Sequence, residues 1–158
     1  MEIERKFIPK EMPDLDKYEK KHIEQGYLNT DPVVRIRRTD DRYTMTYKGR
    51  GLMAREEYNL PLNEESYIHL RPKCDGNFIE KDRYLIPLGK EYDDLTVELD
   101  VFDGILKGLV LAEVEFTDEK QATSFVPPEW LGEDVTGDLR YYNSRMISAD
   151  PTDIIGRS

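Results

Sequence analysis

Polar and apolar residues alternate along most of this chain, the two-residue period of a β-strand whose side chains point to opposite faces. In Glu2 to Ile8, residues Glu2, Glu4 and Lys6 share one face and Ile3, Arg5 and Phe7 the other, with Pro9 ending the strand. A short helix is predicted from Pro13 to about Ile23, with Leu15, Tyr18 and His22 at helical spacing and His22 on its surface. The stretch 25–28 reads as a turn into an extended segment, and 29–32 as a second turn. Val33 to Thr39 alternates again, with Arg35 and Arg37 opposite Val34 and Ile36. Past a turn at Asp40 and Asp41, Tyr43 to Gly49 sets Thr44, Thr46 and Lys48 against Tyr43, Met45 and Tyr47. Met53 to Leu60 carries Arg55, Glu57 and Asn59 on one face.

Asn63 is placed to cap a helix with Glu64 and Glu65 in its first turn, running to about Leu70 before Pro72. Three strands follow. Phe78 to Pro87 has Lys81 and Arg83 on one face, Leu95 to Phe102 has Glu98 and Asp100, and Leu109 to Thr117 has Glu113 and Glu115. Asp118 caps a helix to about Phe125, Pro127 and Pro128 break it, and Trp130 anchors a loop. A last helix is predicted from Asp138 to about Ser148. His69 and Cys74 stand alone and read as incidental, a lone thiol without an activating partner being inert.

The unusual face of these strands collects Lys6, Arg35, Arg37, Lys48, Arg55, Lys81 and Arg83 together with Glu2, Glu4, Glu57, Glu98, Asp100, Glu113 and Glu115. From alternation alone, the ordinary reading is an antiparallel sheet with a charged outer face and an apolar inner one. Three features favour the reverse. Strands in hairpin order favour closure, which removes sheet edges. There are helices to cover an apolar exterior. The charges also segregate by sign, as in Arg35/Arg37 and Glu113/Glu115, where same-sign neighbours repel unless a ligand neutralises them. A barrel with a charged lumen would offer guanidinium and ammonium groups to a small phosphate-rich polyanion. Its carboxylates suit a hard divalent cation, Mg²⁺ or Mn²⁺. Polyphosphate and metal together describe phosphoryl transfer.

Composition fits such a barrel. The chain has 158 residues, most simply one domain over 1–158. Charged residues are 35% and hydrophobic ones 38%, but ten Tyr, five Phe and one Trp argue against disorder. The net charge of −10 argues against a nucleic-acid or anionic-membrane partner. A single cysteine excludes an internal disulfide and fits a reducing cytoplasm. No signal peptide is read before the charged first strand, and no run reaches the roughly 20 apolar residues of a membrane span. The expectation is a soluble cytoplasmic protein, monomer or homodimer, acting on a small molecule.

The opening Glu2-Ile3-Glu4-Arg5-Lys6 resembles the ExExK signature of the CYTH superfamily, the triphosphate tunnel metalloenzymes. The resemblance continues in order through QGYL at 25–28, VRIR at 34–37, YTMTYKG at 43–49 and R-x-E at 55–57. It extends through K-x-R-Y at 81–84, ELDVFDG at 98–104, LAEVEF at 111–116 and VTGDLRYYNSRM at 135–146, and so covers essentially the whole chain. It implies an α+β fold, an eight-stranded antiparallel tunnel flanked by helices, with a C-terminal helix plugging one end. By motif position, Lys6, Arg35, Arg37, Lys48, Arg55, Lys81 and Arg83 would hold the phosphate chain. Glu2, Glu4, Asp100, Glu113 and Glu115 would carry Mg²⁺ or Mn²⁺, with Glu98 in support. Glu4, Lys6 and Glu57 would be catalytic. Tyr27 is either a gate or ligand contact or plain packing. Arg140, Tyr141 and Asn143 resemble the closing helix, Arg140 as a supporting residue. One position departs from the pattern: Asn59 stands where many single-domain bacterial members carry a second glutamate, R-x-E-x-E. The activity implied is metal-dependent hydrolysis of inorganic tripolyphosphate. The alternatives are a nucleoside or thiamine triphosphatase, a class IV adenylate cyclase, or a polyphosphate-binding module without turnover.

Overall fold

A computed structural model describes residues 1–51 and 53–147. Within these residues ten strands form one antiparallel sheet that curls back on itself. They are β1 (Glu2–Ile8), β2 (Glu19–Thr30), β3 (Val33–Thr39), β4 (Arg42–Lys48), β5 (Ala54–Arg55), β6 (Glu57–Leu62), β7 (Asp75–Pro87), β8 (Thr96–Asp103), β9 (Val110–Glu115) and β10 (Glu133–Asp134). Neighbours run β10-β1-β9-β8-β7-β2-β3-β4-β6, and β5 returns to β1 by pairing Glu2 with Arg55 and Ile3 with Ala54. The expected fourth strand is thus β5 and β6, broken at Glu56. Counting them as one gives a nearly closed ring of eight, with β10 outside it on β1.

The apolar face of this sheet is its outer face. Ile3, Phe7, Ile86, Val97, Leu99, Ala112 and Val114 are buried there under Phe116, Ala122 and Leu131, with Phe125 and Trp130 packed against them. Helix α2 (Glu119–Ser124), capped by the Asp118 side chain on the Gln121 N–H, provides part of that cover. Asn63 caps α1 (Glu64–Leu70) in the same way, through Ser66 N–H. Its Tyr67 is buried against Tyr43, ring centroids 5.1 Å apart, and donates to Glu24 at 2.8 Å.

A second cluster closes one end of the barrel. Tyr27, Val33, Ile79, Phe102 and Leu111 meet Val135, Tyr141, Met146 and Ile147 of the last segment. That segment is a 3-10 turn (Leu139–Tyr141) followed by α3 (Asn143–Met146), rather than the continuous helix predicted. Tyr142 is extended (φ −84°, ψ 130°) between them, which lets Tyr141 enter the core while Tyr142 turns toward the lumen. The predicted end of that helix at Ser148 lies outside the described residues.

The helix expected over 13–23 is not formed. Only a 3-10 turn (Leu15–Lys17) precedes β2, which is twelve residues long. Its outward face carries Lys20, His22 and Glu24, the first two exposed, so it lacks the apolar exterior that marks the other strands. His22 therefore sits on a strand, exposed, with Nδ1 2.9 Å from Asp82 Oδ1. The turn expected at 25–28 is a strand with an irregular register near Tyr27. Gly26 is tight there, a Cβ falling 2.7 Å from the Phe78 ring. No described helix is long and apolar enough to cross a membrane.

Candidate active site

The strands from β1 to β9 that carry the period-two charges turn them inward, and most of these charges bound a cavity of about 220 Å³. Glu2, Glu4, Lys6, Tyr27, Arg35, Arg37, Lys48, Arg55, Glu57, Arg83, Glu98, Glu113 and Glu115 all line it, with Val33, Asn59 and Asn143. It is smaller than the roughly 300–1,000 Å³ of pockets for drug-sized organic ligands, and almost every lining group is polar or ionised.

Register sorts the charges into two walls. On β1, β9 and β8, Glu4 faces Glu115, and Glu113 lies between Lys6 and Glu98. These carboxylates form the acidic wall. Burial, then the Glu113 and Glu2 charges, push the Glu4 carboxyl up to about 8. Burial also raises Glu2 to about 7, helped by a hydrogen bond with Glu57. Burial likewise raises Glu115, with the Glu98 charge. Glu113 goes the other way: burial is outweighed by Lys6, Arg83 and Lys81, which hold it well below the carboxylate range.

The basic wall belongs to β3, β4 and β7. Among the described residues neither Arg35 nor Arg37 makes an ion pair with a carboxylate. Arg37 donates from Nε to Gln25 Oε1 at 2.7 Å, and Arg35 from Nη2 to Thr46 Oγ1 at 3.3 Å, while Arg35 Nε is buried without a hydrogen bond. Burial and the Arg35 and Arg83 charges bring the Arg37 guanidinium down to about 9, still cationic at neutral pH. Uncompensated guanidinium groups beside a cavity are a vacant seat for an anion.

Between the walls runs a chain of hydrogen bonds through Asn59. Thr46 Oγ1 donates to Asn59 Oδ1 at 2.6 Å, and Asn59 Nδ2 donates to Glu57 Oε1 at 2.8 Å. Lys48 Nζ sits 2.8 Å from Glu2 and 3.5 Å from Glu57, and Arg55 Nε 3.9 Å from Glu2. Burial would raise Glu57, but its hydrogen bonds with Glu2 and Asn59 and the Lys48 charge hold it at about 2. The amide at 59 thus joins Glu2 and Lys48 in keeping Glu57 anionic, where a second carboxylate would have repelled it.

Lys6, 4% exposed, donates to the Tyr141 carbonyl at 3.0 Å and stands 3.6 Å from Glu113. Burial opposes its charge, but Glu113 and Glu4 outweigh it, so its pKa is raised. Its ammonium also lies 4.3 Å from the centre of the Tyr142 ring.

Three expected site residues are placed elsewhere. Lys81 (0% exposed) and Asp100 (1%) lie behind the lining, Nζ to Oδ2 2.7 Å. Burial, with Arg83 and Arg37 nearby, holds Lys81 down to about 7 even beside that carboxylate. Asp100 receives a two-pronged contact from Arg83, at 2.7 and 2.9 Å, so its oxygens are occupied and orient Arg83. Arg140 is on the exterior, paired with Asp138. His69 is exposed, and burial pushes the free Cys74 thiol up, away from reactivity. Thr46 and Gln25, which hold the two arginines, were not singled out from sequence. Thr46 shares a predicted face with Lys48 and Gln25 opens the QGYL motif, the signals that could have found them.

A cation would enter beside the acidic wall. Its donors are all hard carboxylate oxygens, and burial first, then the neighbouring carboxylates, raise Glu2 and Glu4 toward neutrality, which a divalent ion would offset. The donor chemistry fits Mg²⁺ or Mn²⁺. Among the described residues no three acidic side chains converge at ligating distance.

A family profile described as the CYTH domain matches residues 1–145. The inorganic triphosphatase of Nitrosomonas europaea is 40% identical over 153 residues, covering 95% of this chain and 99% of its own. That of Acetivibrio thermocellus is 39% identical over 153 residues, covering 92% of each. A crystal structure of an inorganic triphosphatase superposes with a TM-score of 0.69 at 38% identity, over 94% of this chain and 95% of that one.

Proposed function

This chain belongs to the CYTH family, and on that premise we propose that it is a metal-dependent hydrolase of triphosphates, acting on inorganic tripolyphosphate to release pyrophosphate and phosphate. The observation that carries the reading is the pair of arginines, Arg35 and Arg37, facing a small polar cavity without carboxylate partners among the described residues. The names of the relatives, both inorganic triphosphatases, support it. The cavity also offers no apolar face for a nucleoside or thiamine ring: its lining residues are charged or polar apart from Tyr27 and Val33.

Arg35, Arg37, Lys48, Arg55, Arg83 and Lys6 bind the phosphate oxygens, and Lys81 backs them from behind the wall. Glu2, Glu4, Glu113 and Glu115, with Glu98 beside them, hold Mg²⁺ or Mn²⁺. The ion, when bound, neutralises charge on the phosphate chain. A lumen carboxylate, Glu4 of the acidic wall or Glu57 beside Lys48, orients a water toward the terminal phosphorus. The P–O bond to the leaving pyrophosphate breaks as the water oxygen bonds, and Lys6 and the guanidinium groups stabilise the equatorial oxygens and the leaving group. Among the described residues the lining includes no Ser, Cys or His, and a direct attack by water needs no covalent intermediate. The enzyme works in the cytoplasm as a monomer or homodimer and needs no nucleic-acid or membrane partner.

Phosphate release from tripolyphosphate, ATP and thiamine triphosphate, each with Mg²⁺, Mn²⁺ or EDTA, tests this. Fast release from tripolyphosphate, abolished by EDTA and by Glu4→Gln, is expected. No release by a folded wild-type protein overturns it in favour of a binding module.

A further inference from the structure

The last described segment does more than close the barrel. Tyr141 is fully buried in the closing cluster, and its main-chain carbonyl accepts from Lys6 Nζ at 3.0 Å. The next residue, Tyr142, lays its ring against two lumen cations, 4.3 Å from Lys6 Nζ and 5.5 Å from Arg55 Cζ. Its hydroxyl donates to the Thr136 carbonyl at 2.8 Å. The Thr136 side chain in turn accepts from the Lys6 main-chain N–H at 3.0 Å. One ring is therefore pinned at its far edge and presents its electron-rich face to cations from β1 and β5, the two strands whose pairing closes the ring.

We propose that Tyr142 is a positioning residue for substrate, its ring holding Lys6 and Arg55 in the lumen so that both are aimed at the phosphate chain before it arrives. The geometry requires such a guide. Lys6 has a long flexible stem, and without the ring and the Tyr141 carbonyl its nearest partner among the described residues is Glu113, on the acidic wall. Arg55 has only a 3.9 Å approach to Glu2 among the described residues. An aromatic face fixes each cation without adding to the carboxylate charge that Glu113 and Glu2 already place beside them. This rests on the reading of the cavity as a triphosphate site.

The test compares the wild type, Tyr142→Phe, Tyr142→Leu, and proteins carrying phenylalanine with one, two or three ring fluorines at position 142. For each, calorimetry measures tripolyphosphate binding without metal, and steady-state kinetics with Mg²⁺ give kcat and KM. Tyr142→Phe keeps the face and is expected within about twofold of wild type in affinity. Tyr142→Leu keeps apolar bulk and is expected to weaken binding and raise KM about tenfold, with the smaller change in kcat. The fluorine series preserves shape while draining the ring face, so affinity should fall stepwise even if Tyr142→Leu proves poorly folded. A flat fluorine series, or Tyr142→Phe losing as much affinity as Tyr142→Leu, overturns the proposal. If wild type binds tripolyphosphate without hydrolysing it, the hydrolase reading fails while the binding series still decides the role of Tyr142.

Discussion

Adjacent tyrosines near the C-terminal end of the fold should respond in opposite directions to losing a hydroxyl. Tyr141 is 0% exposed, and its hydroxyl has no hydrogen-bond partner among the described residues. A buried hydroxyl without a partner costs about 1–3 kcal/mol of lost hydration. Tyr141→Phe removes that cost and leaves the ring in place. The void left by one oxygen takes back a few tenths of a kcal/mol, at about 24 cal/mol per Å³. The net expectation is a gain of about 1–2 kcal/mol, a rise in Tm of about 2–8 °C for a domain of this size. Tyr142→Phe is the control: it deletes a 2.8 Å bond to Thr136 O and should lose about 1 kcal/mol. Urea and thermal unfolding of both variants at pH 7 measure this, with unchanged urea slopes showing that the transition itself is the same. Tripolyphosphate turnover should survive in Tyr141→Phe, because the group that holds Lys6 is a main-chain carbonyl. A loss of stability in Tyr141→Phe would refute the reasoning and show that the hydroxyl is satisfied.

Arg37→Ala removes a lumen cation that has no carboxylate partner among the described residues, so it should raise KM for tripolyphosphate about 10- to 100-fold with little loss of stability, read from steady-state kinetics beside a melting curve. Asp134, held below the usual carboxylate range despite partial burial by hydrogen bonds from Thr136 and Arg5, favours the folded state above the ordinary aspartate pKa and loses that effect as pH falls through its lowered value. Wild type should therefore lose its advantage over Asp134→Asn on acidification, by under about 1 kcal/mol because the pair is partly exposed, measured as unfolding free energy from pH 7 to 3. Gly132 has φ 72° and a Cβ there would collide with the Ile8 carbonyl, so Gly132→Ala should cost about 1–3 kcal/mol in the same unfolding assay.

The lumen was legible in the sequence because its charges repeat at every second residue on strands whose other face is apolar. Glu113 and Glu115 against Val114, and Arg35 and Arg37 against Ile36, announce both the strand and the side each residue takes. β2 was not legible for the same physical reason reversed. Lys20, Lys21, His22 and Glu24 put charge on both faces, and no apolar alternation survives to distinguish strand from helix. Local spacing also cannot tell which inward charge reaches the cavity. Asp100 and Glu98 are two apart on β8, yet Asp100 is consumed by Arg83 and Lys81 while Glu98 lines the cavity. That distinction depends on which residues face it across β7, a matter of register between segments far apart in sequence. Arg140 was misplaced because the extended backbone at Tyr142, which splits the closing segment, has no signature in residue type.

Because lumen and exterior alternate residue by residue, the pairing of β1 with β9 has no tolerable neighbour. In the native register Lys6 meets Glu113 and Phe7 meets Ala112. Slide one strand by a single residue with its face reversed, and Glu113 and Glu115 would lie beneath the apolar cover of α2 while Val114 pointed among the cations of the lumen. In an ordinary half-buried sheet such a slip exposes greasy side chains to water. Here it would also force ionised groups into a dry layer, the costlier error of the two. The charges that serve the lumen therefore also proofread the assembly of the barrel, and a variant that replaced them with neutral residues would lose that guard against misaligned strands along with its ligand.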